Sequence, residues 1–411
     1  MGDIRARHVA STIGAALVWL GFGGVVGFDG TPLWCAVRVL LSMGALCLCL
    51  VAMRQLPARR WVAIELVLAV VALPVGAAIS FSYVPASDFS VKAVGAVITT
   101  VGAGTLLVAA TARVLHRVRG WRRLSAVPVA ALALVLVWYP LAVAVFATNV
   151  ARPELGRETP ADHGLSFRDA MFTTSDGVVL SGWYIPSTNH AAIVMLHGAS
   201  STRSSVLNEA AVVARHGYGV LLFDARGHGR SGGRGMDFGW YGDRDIDAAV
   251  GYLQSQPDVD RGRIGAVGFS MGGEEAIGAM AALPALRAVV AEGATNRTFA
   301  DKQFLPDEYG FSGWLTQQVE RFVYGVTDLL TDASPPISLR DAVEAAAPRH
   351  VLLVAAGTVT DEGVVARYLQ RGSPSTVEIW EVDGAGHIGG LAVQPEEWER
   401  RVIAFLDAQL R

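Results

Sequence analysis

The sequence has few cysteines and few charged residues. Only three of its 411 residues are cysteine, and Cys35, Cys47 and Cys49 all lie in one apolar stretch. The rest of the chain therefore has no disulfide and no thiolate metal site, and we expect neither a metal nor a cofactor. Charged residues make up 17% of the chain and the formal net charge is -3, which gives no basis for a nucleic-acid partner.

Long apolar segments are abundant in the first part of the chain. Hydrophobic residues make up 52% of the sequence, which exceeds the usual share in soluble proteins. A helix rises about 1.5 Å per residue, so about 20 apolar residues cross a hydrocarbon core of roughly 30 Å. We predict an all-α transmembrane region within residues 1–150, with five spans at 9–28, 33–53, 61–81, 91–115 and 126–148.

The charges between these segments alternate and predict an orientation. Arginines lie at alternate ends of the spans, namely Arg5, Arg7, Arg54, Arg59, Arg60, Arg113, Arg117, Arg119, Arg122 and Arg123. The other connections contain Asp29, Asp88 and only Lys92. The positive-inside rule makes the N-terminus cytoplasmic, and five spans then place the chain after Thr148 on the extracytoplasmic face of the cell membrane. We expect Glu65, near a span end, to reach the lipid interface.

The second part of the chain has the pattern of an α/β protein. A polar linker at 151–165 precedes residues 166–411, where short apolar strands alternate with helices. This alternation predicts a doubly wound, mostly parallel sheet with helices on both faces. Ligands of such sheets bind beyond the carboxyl ends of the strands. Polar residues follow the predicted strands there, at 191–196, 220–223, 264–267, 288–291, 351–356 and 377–382.

The segment Gly268-Phe269-Ser270-Met271-Gly272-Gly273 joins a predicted strand to a predicted helix. A serine between two glycines at such a junction is the pattern of a nucleophile elbow. The turn is too tight for side chains at Gly268 and Gly272, and it lifts the Ser270 hydroxyl out of the sheet. We therefore regard Ser270 as the candidate nucleophile.

Four motifs in this order resemble the α/β-hydrolase fold family over about residues 165–411. They are HG at 197–198, DARGHGRS at 224–231, GFSMGG at 268–273 and GAGH at 384–387. The resemblance implies an α/β-hydrolase fold and a serine hydrolase that works through an acyl-enzyme intermediate. It does not extend to the apolar region.

The resemblance also implies roles for single residues. A serine hydroxyl needs a base, and the family's base corresponds to His387 in the loop after the last strand. The oxyanion hole would be formed by the backbone N–H groups of Met271 and Ala199. His197 and His228 precede the serine, and the family pattern gives them structural roles.

The acid of the triad departs from the family pattern. Family members have Gly-x-x-Asp after the strand at 351–356, whereas Thr360 stands at that position here. Asp361 lies one residue later, and a small loop adjustment would bring it to His387, so it is the preferred acid. Glu362 is adjacent, and Glu292 ends the preceding strand. Both remain alternatives.

The function that follows is a membrane-anchored serine hydrolase that cleaves ester or related acyl bonds. Its expected partners are a small-molecule or lipid-like acyl substrate and the lipid bilayer. A serine peptidase, a thioesterase and an acyltransferase are alternatives on the same fold. A non-catalytic binding module is the alternative outside enzymes, and the displaced acid is its only support. An insert at about 294–347 occupies the cap position, where it forms either an apolar lid or a helix packed on the core.

Overall fold

The computed structural model describes residues 2–26, 32–86, 89–118 and 120–411. These form two units, one of Met1–Ala151 with Val319–Leu330 and one of Arg152–Gln318 with Thr331–Arg411. Some residues of the topology prediction lie outside the described set, namely Asp29, Asp88, Arg119 and positions 27–28 of the first span. The structure also leaves the side chains of Arg5, Arg7, Arg54, Arg59 and Arg122 undescribed.

The regular secondary structure of the first unit is helical throughout its described residues. A 3₁₀ turn at Gly120–Ser125 precedes the last apolar segment, and a π-helical turn at Leu134–Trp138 lies within it. The α-helices of residues 1–151 are α1 (Gly2–Val26), α2 (Pro32–Gln55), α3 (Ala58–Tyr83), α4 (Val91–Arg117), α5 (Ala126–Ala133) and α6 (Tyr139–Thr148).

Four described helical segments are long and apolar enough to cross a membrane, whereas the sequence predicted five. They are Ala36–Met53, Arg60–Tyr83, Val91–Arg117 and Arg123–Thr148. The first predicted span is also a helix, but its apolar part, Val9–Val25, is shorter. The cause lies in the sequence, because polar residues as far as His8 occupy the first two turns of α1.

Glycines bring α1 and α4 into close antiparallel contact. A Cβ atom at Gly21 would lie 2.5 Å from the carbonyl oxygen of Gly95, and one at Gly102 would lie 2.7 Å from the amide nitrogen of Val18. Small residues let helix backbones approach in this way.

Glu65 does not reach an interface, contrary to the expectation. Its side chain is fully buried and accepts hydrogen bonds from Trp61 Nε1 at 2.7 Å and Arg113 Nη2 at 2.9 Å. Arg113 also donates to the hydroxyl of Ser11 at 2.5 Å. Burial of this carboxylate is possible because the guanidinium of Arg113 and the indole of Trp61 replace the hydrogen bonds that it would make with water.

The second unit contains eight strands. They are β1 (Arg168–Thr173), β2 (Val179–Ile185), β3 (Ala192–Leu196), β4 (Gly219–Phe223), β5 (Ile264–Phe269), β6 (Leu286–Glu292), β7 (His350–Ala356) and β8 (Val377–Val382). The α-helices of residues 152–411 are α7 (Leu207–Arg215), α8 (Gly242–Gln254), α9 (Met271–Ala282), α10 (Leu305–Leu330), α11 (Leu339–Ala346), α12 (Thr360–Gln370), α13 (Gly390–Val393) and α14 (Pro395–Leu410). Short 3₁₀ helices lie at Pro160–His163, Arg203–Val206 and Phe299–Lys302.

The strands form one mostly parallel sheet, which confirms the predicted fold. Their order is β1-β2-β4-β3-β5-β6-β7-β8. The pairs β1–β2 and β2–β4 are antiparallel, and the pairs from β4 through β8 are parallel. The carboxyl ends of β5, β6, β7 and β8 therefore meet at one edge, where the candidate residues follow them.

Hydrophobic residues cover both faces of this sheet. Successive residues of β3 alternate between two core clusters, with Val194 in one and Ile193 and Met195 in the other. All five residues of β3 are buried. A strand that is apolar throughout is typical of a parallel sheet covered on both faces by helices, and this rigid centre holds the loops at the strand ends in place.

Candidate active site

Ser270 lies at a strained turn between β5 and α9. Its backbone has φ 51° and ψ -123°, a region that costs a non-glycine residue roughly 1–3 kcal/mol. The turn is held by a hydrogen bond from the Ser270 N–H to the carbonyl oxygen of Glu292 at 2.7 Å. At the end of β5 such a turn presents the serine hydroxyl to the edge where ligands bind.

The two glycines of the elbow have no room for a side chain. A Cβ atom at Gly268 would lie 2.3 Å from the carbonyl oxygen of Gly272, and one at Gly272 would lie 2.6 Å from the carbonyl oxygen of His197. These neighbours are backbone atoms, which cannot rotate away. Positions 268 and 272 therefore require glycine, because the start of α9 packs directly against the backbone at Gly268 and His197.

His387 and Glu362 form the shortest acid–base contact of this edge. Nδ1 of His387 lies 2.6 Å from Oε1 of Glu362, and the Glu362 carboxylate is only 2% exposed. Its second oxygen accepts a hydrogen bond from the N–H of Ala356, at the end of β7, at 2.7 Å. The hydrogen bond that His387 donates to the Glu362 carboxylate raises the pKa of His387 above its usual range.

Asp361, the preferred acid from the sequence, does not contact His387. Its carboxylate is exposed and accepts a hydrogen bond from the hydroxyl of Tyr309 at 2.7 Å. Neighbouring residues of a helix point about 100° apart, and α12 begins at Thr360, so only one of the two acids faces inward. The structure corrects the expectation and places Glu362 against the histidine.

Glu292, the other alternative, has a different set of partners. It is buried at the end of β6 and accepts hydrogen bonds from the N–H of Gly390 at 2.7 Å and from Trp398 Nε1 at 2.9 Å. Burial raises the pKa of its carboxyl. Because Gly390 lies three residues after His387, Glu292 fixes the loop that carries the histidine and does not pair with it.

Two backbone N–H groups beside Ser270 are unused by the described part of the protein. Neither the Met271 N–H, at the first residue of α9, nor the Ala199 N–H donates a hydrogen bond to a described residue. Ser200 follows with φ 53°, and its hydroxyl and N–H both lower the pKa of Asp237, which burial raises to about 7. Asp237 is thus a partner of the Ala199 loop that the sequence did not reveal.

His197 and His228 are buried inside the loops and have structural contacts. His197 Nε2 accepts from the N–H of Ala225 at 3.0 Å, and its Nδ1 lies 2.7 Å from the carbonyl oxygen of Gly198. Burial lowers the pKa of His197 to about 4 and also lowers that of His228. Both histidines therefore stay neutral and hold neighbouring backbone.

Two charged residues of the 224–231 motif, Asp224 and Arg226, form ion pairs with Arg203, Asp176 and Asp245. The Arg226 guanidinium bonds to Asp176 at 2.8 Å and to Asp245 at 2.6 Å. Asp224 accepts from the backbone N–H groups of Arg203 and Arg230, each at 2.9 Å. These contacts order the loop after β4 and do not involve Ser270.

Ser270 and His387 line one cavity of about 320 Å³. Ala199 and Phe269 are also part of its wall, whereas the insert at 294–347 contributes no lining residue, which does not support the lid interpretation. Glu209 of α7 lines the cavity as well, and the sequence analysis missed it. The available signal was its spacing, because Glu209 lies three residues after Val206, just before α7, and four residues before Val213 of α7.

No set of three or more His, Cys, Asp or Glu side chains within the described ranges is arranged to hold a metal ion. The groups that this edge presents are a hydroxyl, an imidazole with a carboxylate partner, and two backbone N–H groups that donate to no described residue. Together they suit nucleophilic attack on a carbonyl carbon followed by proton transfer.

A family model described as the alpha/beta hydrolase family matches residues 193–402, which is more than half of the chain. The chain therefore belongs to the alpha/beta hydrolase family. Among solved structures, it resembles the Pyrococcus furiosus esterase Pf2001 with a TM-score of 0.50 and 27% identity, covering 64% of this chain and 98% of that one.

Curated relatives match over shorter segments. An uncharacterized protein of Mycobacterium tuberculosis is 40% identical over 116 residues, which are 27% of this chain and 40% of that protein. Thiohydrolase aneE of Aspergillus aculeatus is 34% identical over 125 residues, 28% of this chain and 37% of that protein. The chain thus spans no more than about two fifths of either relative's length.

Proposed function

We propose that this protein is a membrane-anchored serine hydrolase that cleaves an ester or related acyl bond, with Ser270 as nucleophile, His387 as base and Glu362 as acid. The observation that carries the proposal is the 2.6 Å contact between Glu362 and His387, a residue that lines the same cavity as Ser270. The family membership and the resemblance to an esterase support the same reaction class.

The reaction follows from the placement of these groups. Nδ1 of His387 is taken by Glu362, so Nε2 is the nitrogen left to accept the Ser270 proton. The Ser270 oxygen then bonds to the carbonyl carbon, and the N–H groups of Met271 and Ala199 stabilise the negative oxygen. His387 returns the proton to the departing alcohol.

The second half of the reaction repeats these roles with water. His387 removes a proton from a water molecule, whose oxygen attacks the acyl-enzyme carbonyl. The bond to Ser270 breaks, the serine regains its proton from His387, and the carboxylic acid leaves. Glu362 keeps its charge throughout and stabilises the imidazolium that forms in each half.

A thioester is the second candidate substrate. The relative named as a thiohydrolase is the observation that favours it, and the same catalytic groups serve both bonds. The non-catalytic alternative was supported only by the shifted position of the acid in the sequence. Glu362 supplies a carboxylate for His387, which removes that support. Matched oxoester and thioester substrates with the same acyl group would rank the two reactions by kcat/KM.

The membrane orientation is part of the proposal. The 17-residue apolar run of α1 is at the lower limit for a span of about 17–25 residues. Its contacts with α4 run from Gly14 to Gly24, about 15 Å of helix axis, which supports a fifth crossing. With a cytoplasmic N-terminus, five crossings place the hydrolase domain on the extracytoplasmic face of the cell membrane.

The first test is replacement of the nucleophile. The full-length Ser270→Ala variant should lose hydrolysis of a short-chain ester by about 10⁴–10⁶ in kcat and should no longer react with a fluorophosphonate probe. Ser255→Ala, at an exposed serine after α8, is the matched control and should keep both properties. Ester hydrolysis that survives in Ser270→Ala would rule out this nucleophile.

A further inference from the structure

The cavity beside Ser270 contains a carboxyl group that the proposed reaction does not use. Glu209 lies in the first turn of α7 and lines the cavity with Ser270 and His387. Its Oε2 atom is buried and has no hydrogen-bond partner among the described residues. A buried, unpaired carboxyl oxygen is costly, and this one is placed where a bound substrate can supply the missing partner.

The charges around Glu209 determine which partner fits. The cavity wall contains no lysine or arginine, and Glu209 and His387 are its ionisable side chains. The charge of nearby Glu292 adds to the negative potential felt by Glu209. An anionic substrate would therefore be repelled, whereas a cationic group would be attracted.

The local environment sets the charge state of this carboxyl. Burial, together with a smaller contribution from the charge of Glu292, raises the pKa of Glu209 to about 7. Desolvation favours the neutral acid, and a cation next to it favours the carboxylate. A substrate cation would thus form a charge-assisted hydrogen bond, which is stronger than a neutral one.

We propose that Glu209 binds a protonated amine of the substrate, so that the preferred substrates are small esters with an amino group. This inference rests on the proposed serine-hydrolase function and adds the class of substrate to it. The amine belongs either to the acyl part or to the alcohol part of the ester, and the experiment contains one arm for each.

The experiment compares isosteric ester pairs with full-length protein at pH 7.5. The acyl arm uses the ethyl ester of β-alanine and ethyl butanoate. The alcohol arm uses 2-(dimethylamino)ethyl butanoate and 3-methylbutyl butanoate. In at least one arm the cationic ester should have a kcat/KM at least about tenfold higher, the effect of one charge-assisted hydrogen bond. In Glu209→Gln the kcat/KM values of the cationic and the neutral ester should become similar.

The control variant is Glu344→Gln, which changes an exposed carboxylate of α11 and should keep the wild-type preference. Absence of a cationic preference in both arms, or its persistence in Glu209→Gln, would overturn the inference. Ser270-dependent hydrolysis of the neutral esters would in that case leave the proposed function intact. If no ester were cleaved in a Ser270-dependent manner, the proposed function itself would fail.

A second measurement covers the case in which Glu209→Gln does not fold. In the wild type, β-alaninamide should slow fluorophosphonate labelling of Ser270 more than butanamide does, because only the former carries an ammonium group. Equal protection by the two amides would contradict a cation site at Glu209.

Discussion

At the scale of single residues, two neighbouring acids of α12 have different surroundings. Glu362 is 2% exposed and bonds to His387, whereas Asp361 is exposed and bonds to Tyr309. Both have a carboxylate and both lie in the first turn of the helix. The two acids therefore differ only in the direction in which their side chains point, and this makes them a matched pair for mutagenesis.

We expect Glu362→Gln to lower kcat strongly and Asp361→Asn to leave it nearly unchanged. An amide at position 362 cannot stabilise the imidazolium and favours the wrong histidine tautomer. The corresponding acid-to-amide change in a Ser-His-Asp triad lowers kcat by about 10⁴. Steady-state hydrolysis of a neutral ester measures both variants. A large loss in Asp361→Asn with little loss in Glu362→Gln would restore Asp361 as the acid.

The titration of His387 gives a second prediction. Its imidazole must be neutral to accept the Ser270 proton, and its hydrogen bond to Glu362 raises its pKa. The kcat/KM of a neutral ester should therefore fall as the pH is lowered, with a midpoint above the unperturbed value of about 6.5. The Glu209→Gln variant is the suitable background because it removes the other titrating group of the cavity.

The same profile measured with Glu362→Gln should have its midpoint at lower pH. The amide no longer stabilises the protonated histidine, so the imidazolium loses its proton more easily. A midpoint that stays in place after this substitution would show that another group controls the profile.

At the scale of elements, the elbow depends on the close return of α9 to the sheet. Gly272 lies against the backbone of His197 and the side chain of Leu196, at the end of β3. The loop that carries Ala199, a proposed oxyanion donor, begins at the same strand end. One close contact therefore places both the nucleophile turn and the loop that carries Ala199.

We expect Gly272→Ala to destabilise the protein by about 1–3 kcal/mol, as overpacking of a filled site does. Gly251→Ala is the control, because a Cβ atom there meets nothing within 4 Å. Alanine at this position of α8 should stabilise by roughly 0.5–1 kcal/mol. Thermal unfolding of the full-length variants in detergent compares them, and an equal melting temperature for both would contradict the steric argument.

At the scale of the whole molecule, apolar helices and an α/β-hydrolase unit occur in one chain. The four helices that are long and apolar enough to cross a membrane, together with α1, form the proposed membrane region, and the residues of the proposed catalytic site lie in the other unit. The proposed topology follows from the number of crossings, so a single helix that fails to cross reverses the side on which the reaction occurs.

We expect a membrane-impermeant fluorophosphonate probe to label the wild type on intact cells, and Ser270→Ala to remain unlabelled. The proposed extracytoplasmic position of Ser270 is the reason. A cytoplasmic serine hydrolase, which reacts only after lysis, controls for leakage. Labelling of the wild type that requires lysis would place the domain in the cytoplasm and reduce the number of crossings to four.

Most of the fold could be predicted from the sequence because its signals are local. Strand and helix periodicity, the glycines around Ser270 and the long apolar segments each depend on neighbouring residues. The sequence was less informative about α1, because polar residues in its first turns shorten the apolar run that could cross a membrane. It also gave no sign that Glu65 would be buried, because its partner Arg113 is 48 residues away.

The sequence by itself determined the α/β-hydrolase fold, the turn at Ser270 and the apolar helices of the first unit, since these follow from short-range pattern and composition. Only the tertiary structure decided that Glu362 rather than Asp361 meets His387, that Glu292 holds the histidine loop and that Glu209 faces the cavity. The direction of a side chain depends on where its helix begins and on what packs against it. Both are set by contacts between segments far apart in the chain.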